Sequence, residues 1–231
     1  MNLDCKHSPS TAILLFAQSN KVESSLKPIA YQRKQNDLLW QKMNNRVLQT
    51  IRKTRLPYFI SDEITQVGVS FGDKLSHAIK AVFEKGFEKV IVVGNDSPGL
   101  TQHHLQNAHL GLQNKKWVFG PDCKGGTYLI GISKATFNAS LFSKIKWGTT
   151  QVVTELKELS VEDAILLSPL ADFNTLADFK NIFKGFSFNS IFKNSLVSLL
   201  FYQRTLNRFF KKYYHYEFVG LNFNKGSPVT E

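Results

Sequence analysis

The group in this sequence best placed to do chemistry is a carboxylate at the end of an apolar run. Asp96 lies in GNDSPGL, directly after residues 89–94 (KVIVVG), whose β-branched side chains mark a buried strand. A carboxylate there can face a bound diphosphate through a divalent cation, or it can cap the following turn, which Asp also favours. Gly125 and Gly126, in GPDCKGGTYLIG, let a backbone approach a ligand closely or simply turn. His103, His104 and His109 crowd one segment. His104 and His109 are off any common helix face, though, and no H-E-x-x-H glutamate accompanies them, so they read as solvated helix residues. Cys5 and Cys123 lack the spacing of a disulfide framework or a zinc site and fit a reducing cytoplasm.

Strand and helix signals alternate around these groups. Residues 11–17 (TAILLFA) are continuously apolar, as in a strand covered on both faces, and 58–61, 117–119, 128–132 and 164–167 read as further strands. Residues 31–55, 73–85, 102–113, 150–159 and 176–183 carry helical spacing; in the first, Leu39, Met43, Val47 and Ile51 recur every four residues. The alternation calls for an α/β fold, a mostly parallel central sheet with helices on both faces. Ligands on such sheets bind at the carboxyl ends of the strands, which points to the loops after Ala17, Gly94 and Phe119.

The formal charge of +11 admits three anionic partners: nucleic acid, a membrane surface or phosphorylated small molecules. No run of five Lys/Arg and no zinc-finger or RNA-binding signature occurs, so nucleic acid fits least. The first ten residues are polar and the apolar run after them is too short for a signal peptide or a span, so a cytoplasmic location is expected.

Four blocks then carry a resemblance: QVGVSFGDKL from Gln66, GNDSPGL from Gly94, GPDCKGGTYLIG from Gly120 and FSKIKWGT from Phe142. In order and spacing they resemble a bacterial glycosyltransferase-like family that includes members assigned to arsenosugar biosynthesis. Its pattern is Q-x-G-x-x-L/F-G-x-R/K-M/L, G-x-D-x-P-x-L/I, G-P-x-x-D-G-G-Y-x-L-I-G and F-x-x-I-x-W-S-T. The family is more distantly similar to the molybdenum-cofactor and phospholactate guanylyltransferases. The resemblance implies the GT-A, nucleotide-diphospho-sugar transferase fold, a nucleotide or nucleotide-sugar donor, and Mg²⁺ or Mn²⁺ if the chain is active. It implies a catalytic role for Asp96, and for Lys124 by position. Substrate contacts fall on Ala17, Gln18, Lys21, Ser97, Gly125, Gly126 and Thr149, and metal ligation on Asp96 with Asn174.

The sequence departs from that pattern in three places. The family's loop after the first strand, P-x-P-G-x-V-K-T-R-L, offers a Lys and an Arg to phosphates; here Glu23 and Ser25 stand in their places. Lys124 replaces the Asp of D-G-G-Y, with Thr127 for its Tyr. Asn174 replaces the second acid of D-x-D-T, while Asp172 keeps the first. One expectation is that Glu23 and Lys124 now pair across the donor site; another is that Lys124 supplies the charge of a metal. The alternative function is a catalytically degenerate relative that acts as a binding or partner protein. Residues 1–185 are expected to form the transferase-like domain. Residues 186–231 would form an aromatic, basic helical extension that docks on it, dimerises or touches an anionic membrane surface.

Overall fold

A computed structural model describes residues 10–161, 163–185 and 191–200. The chain divides into two compact units, Met1–Phe186 and Ser187–Glu231. In the second, residues 191–200 are helical. The rest of the aromatic, basic tail, and with it the expectation of docking, dimer or membrane contact through that tail, lies outside the described residues. No helix among the described residues is long and apolar enough to cross a membrane.

The first unit is built on a six-stranded sheet in the order β2-β1-β3-β5-β4-β6. The strands are β1 (Thr11–Phe16), β2 (Tyr58–Ser61), β3 (Lys89–Val93), β4 (Trp117–Pro121), β5 (Thr127–Ser133) and β6 (Ala164–Leu166). β1 pairs parallel with β2 and β3, and β4 parallel with β6, while β5 alone runs against its neighbours β3 and β4. The sheet is therefore mostly parallel, with a β4–β5 hairpin set into it.

Alternation along the strands explains the layers. Ala12 and Leu14 of β1, Val90 and Val92 of β3, and Ile130 and Ile132 of β5 share one core with α3 (Phe71–Glu84), α5 (Ala139–Ser143) and α6 (Val152–Ser160). Ile13, Leu15, Ile91 and Val93 point the other way, into a core with α2 (Arg33–Lys53) and α4 (Gln102–Asn114). Both faces are thus covered, and this is the GT-A architecture expected from the sequence. α7 (Leu176–Gly185) follows β6, and the buried Phe173 just before it meets Trp40 of α2.

Three local differences from the sequence reading bear on the site. The segment after β1 that stands in place of the family's phosphate loop, with Glu23 and Ser25, contains a helix, α1 (Asn20–Leu26). α3 starts at Phe71, two residues early, because Ser70 and Asp73 form a reciprocal capping box: the Ser70 hydroxyl accepts from Asp73 N at 3.1 Å and the Asp73 carboxylate accepts from Ser70 N at 3.1 Å. α5 was too short to show a periodicity; Asn138 caps it by accepting from Leu141 N at 3.2 Å.

Candidate active site

A cleft of about 690 Å³ opens where β1, β3 and β4 end. Ala17 and Gln18 continue β1 into it, Asn95 and Asp96 continue β3, and the hairpin loop after β4 brings Asp122, Lys124 and Gly126. Asp172 and Asn174 enter from the segment after β6, held beside Asp96 because Phe173 N donates to Asp96 O at 2.7 Å. Phe16, Phe71, Leu75 and Trp147 form an apolar wall opposite these charges. In a chain of net charge +11, this crevice is lined by four carboxylates, Glu23, Asp96, Asp122 and Asp172, and by two lysines, Lys27 and Lys124.

Lys27 is the residue that the sequence reading missed. Its Nζ lies 2.9 Å from Glu23 Oε1 and 3.0 Å from Asp96 Oδ2, and 5.2 Å from the centre of the Trp40 ring. The lost cations of the family loop are thus replaced by one lysine further on, at the end of α1. Its signal in the sequence is the i,i+4 spacing from Glu23, which pairs only once the segment is helical. Burial pulls the pKa of this ammonium down, but the Asp96 and Glu23 carboxylates outweigh burial and hold it above its ordinary value.

Asn36 fixes the backbone beneath Lys27. Buried on α2, its amide donates to Ser24 O at 2.7 Å and Lys27 O at 3.0 Å, and its oxygen accepts from Ile29 N at 3.0 Å and Ala30 N at 2.9 Å. Trp40 Nε1 donates to the same Lys27 carbonyl at 3.1 Å. The lysine backbone is therefore anchored at two points, while its ammonium reaches into the cleft.

Asp172 and Asp122 line the same cleft. Asp172 accepts from Ser97 Oγ at 2.6 Å. Burial, followed by the charge of Asp96 and a hydrogen-bonding neighbour in Asp122, pushes its carboxyl up to about 8, against the opposing Ser97 hydrogen bond. Asp122, also missed from sequence, folds the hairpin loop on itself: its Oδ1 accepts from Lys124 N at 2.6 Å and Gly126 N at 2.8 Å. The sequence signal was an acid two residues before the family's missing Asp.

The other expected residues divide. Ala17, Gln18, Asp96, Lys124, Gly126, Thr149 and Asn174 all line the cleft. Three do not. Lys21 is exposed on α1. Ser97 is buried and spends its hydroxyl on Asp172. Gly125, with φ +90°, packs against the Thr150 carbonyl, which a side chain there would strike. The expected Glu23–Lys124 pair does not form: Glu23 holds Lys27, while Lys124 Nζ meets Asp178 Oδ1 at 2.7 Å. Lys27 is simply nearer, one helical turn from Glu23. His103 is exposed, as expected, but the other two histidines are less solvated. His104 is half-buried, its Nδ1 accepting from Thr101 N at 3.1 Å, and His109 is half-buried as well.

Among the described residues no three acid, histidine or cysteine groups stand ready around one point to hold an ion. The donor chemistry nonetheless suits Mg²⁺ or Mn²⁺. Such ions take carboxylate oxygens, commonly only one or two from the protein with water and substrate phosphates completing the shell. Asp96, Asp122 and Asp172 supply oxygen donors of that kind along the cleft.

The model of a family described as "Uncharacterized protein conserved in bacteria (DUF2064)" matches residues 30–149. No functionally curated protein matches the chain. Among solved structures, a provisionally assigned nucleotide-diphospho-sugar transferase from Desulfovibrio desulfuricans G20 shares the fold at a TM-score of 0.72, with 24% identity over 87% of this chain and 97% of its own. Lower similarity, at a TM-score of 0.47 and 10% identity over 76% of this chain and 99% of the other, links it to Rv0371c of Mycobacterium tuberculosis H37Rv, a structure in complex with manganese. The inositol-1-phosphate CTP transferase of T. maritima follows at 0.38 and 10% identity, over 83% and 96% of the two chains.

Proposed function

From the premise that the chain belongs to the bacterial family DUF2064, we propose that it is a transferase that binds a nucleotide or nucleotide-sugar donor in the cleft at the carboxyl edge of its sheet. One observation carries this reading: Asp96, Asp122 and Asp172 line, together with Lys27 and Lys124, a single crevice of about 690 Å³, a size that suits a small-molecule ligand. Acids that attract a divalent cation and ammonium groups that attract phosphate are the two complements that a diphosphate needs.

In this reading Ala17 and Gln18, at the end of β1, hold the nucleoside end of the donor. Lys27 reaches the diphosphate, and the backbone at Gly126 with Thr149 borders the transferred group. Mg²⁺ or Mn²⁺, held by Asp96 with help from Asn174 or Asp172, would neutralise charge on the phosphates as they become the leaving group. Lys124, on the rim, adds positive charge as the diphosphate departs. The apolar wall of Phe71 and Trp147 offers the donor a non-polar surface along one side of the cleft.

A second reading, a relative that binds a nucleotide without turning it over, is favoured by the two ion pairs that already occupy Asp96 and Lys124. Thermal melting of the protein against nucleoside diphosphates and sugar nucleotides, with and without Mn²⁺, tests both. A bound ligand raises Tm by mass action, and Asp96→Ala should abolish the Mn²⁺-dependent part of the rise. Absence of any shift across the panel removes both readings; a shift with no product formed from the sugar nucleotide leaves the second.

A further inference from the structure

Lys27 combines two properties that seldom meet in one side chain. Its backbone is clamped to α2 through Asn36 and Trp40, and its ammonium spans two carboxylates, Glu23 Oε1 at 2.9 Å and Asp96 Oδ2 at 3.0 Å. Only the side chain is free to move, and it can leave Asp96 while keeping Glu23, its neighbour on the same helical turn. Asp96 is also the carboxylate that ends β3 at the cleft, and a divalent ion drawn to it competes, by charge and for Oδ2, with the ammonium already there.

We propose that the Lys27 ammonium is the resident counter-ion of Asp96, that it yields that carboxylate to a divalent cation, and that it then turns to the diphosphate of the donor. The diphosphate half rests on the function proposed above; the exchange at Asp96 does not. The arrangement keeps a cluster of like charges tolerable in the empty cleft, since an unpaired, partly buried carboxylate is costly. It also makes cation and donor bind with positive coupling, because the first releases the group that the second needs.

Reductive methylation of the intact protein, read lysine by lysine by peptide mass spectrometry, tests the exchange directly. In EDTA, Lys27 should label slowly, because its ammonium is paired and largely buried. Mg²⁺ should raise its labelling several-fold, and Mg²⁺ with a nucleoside diphosphate (UDP, CDP, GDP and ADP each tried) should suppress it again. Exposed Lys80, paired with Glu84 at 3.7 Å, is the internal reference and should not respond. Mn²⁺ binding followed by electron paramagnetic resonance should tighten several-fold in Lys27→Met. If that variant does not fold, Lys27→Arg, whose guanidinium grips a carboxylate with two hydrogen bonds, should bind Mn²⁺ more weakly than wild type. Lys27 labelling that ignores Mg²⁺ overturns the exchange, even if nucleotides bind. Release by Mg²⁺ without protection by any nucleoside diphosphate overturns the diphosphate half and the donor reading, and leaves the exchange standing.

Discussion

The two lips of the cleft each present a lysine beside an acid, yet they are built to different strengths. On the first lip, Lys27 is three-quarters covered, stands between two carboxylates and hangs from a backbone that Asn36 and Trp40 hold. On the second, Lys124 is about half exposed and pairs with Asp178, an acid in the first turn of α7 that reaches back over the helix start: its Oδ2 accepts from Asn174 N at 3.2 Å and Thr175 N at 2.9 Å. The first lip has put its charge into the binding site, and the second has spent its charge on holding a loop to a helix. A cation's presence in a sequence alignment therefore says little about its use; burial and the rigidity of its backbone decide that.

Breaking the first lip should have the largest effect. Asn36→Ala strands two buried N–H donors and takes a donor from two carbonyls, and each unsatisfied group costs about 1–3 kcal/mol. Urea unfolding should show a loss of about 3 kcal/mol or more, and Lys27 should lose its protection from methylation without any added ion. A loss below about 1 kcal/mol would mean that the first lip is no firmer than the second.

Next comes Asp178→Ala, which removes the acidic half of the reciprocal Thr175–Asp178 capping contact and an ion pair together and should cost about 1–2 kcal/mol. Burial raises the pKa of Asp178, but the hydrogen bonds from Lys124 and Thr175 outweigh it and hold the carboxyl below its ordinary value. Its contribution is therefore present above the ordinary carboxylate range and is lost as pH falls through the depressed value. The difference between wild type and variant should accordingly shrink in acid. Asp172 behaves oppositely. With its folded-state value near 8, the native protein holds a proton that the unfolded chain gives up near 4, so stability falls as pH rises between them. In EDTA, Asp172→Asn should flatten that slope, and calorimetry from pH 4 to 9 would reveal a slope left unchanged.

The smallest effect belongs to Lys124→Ala. A half-exposed pair of this kind contributes about 0–1 kcal/mol, and the loop is also held by the Asp122 carboxylate. A larger loss would show that the second lip depends on its lysine after all.

How much of this was legible beforehand follows from the physics of each element. β1 and β3 announce themselves because a strand covered on both faces must be apolar throughout, and Asp96 stands out as the acid that ends one of them. α1 did not, since NKVESSL has no apolar stripe long enough to give a period; without that helix the Glu23–Lys27 spacing has no meaning. Asp122 and Asp172 come from distant segments that only the sheet order brings together. The Gly125-Gly126 pair was visible, but the reason for Gly125, the Thr150 carbonyl against it, lies in the tertiary structure.

The antiparallel β5 has a mechanical consequence. The strands β2, β1 and β3 form one parallel half of the sheet and β4 with β6 another, and the β3–β5 ladder is the seam that sews them together. Asp96 belongs to the first half, Asp122 and Asp172 to the second. Any ligand held by acids from both sides fastens the seam, so amide hydrogen exchange along Val90–Val93 should slow on saturation far more than exchange at the outer strand β2.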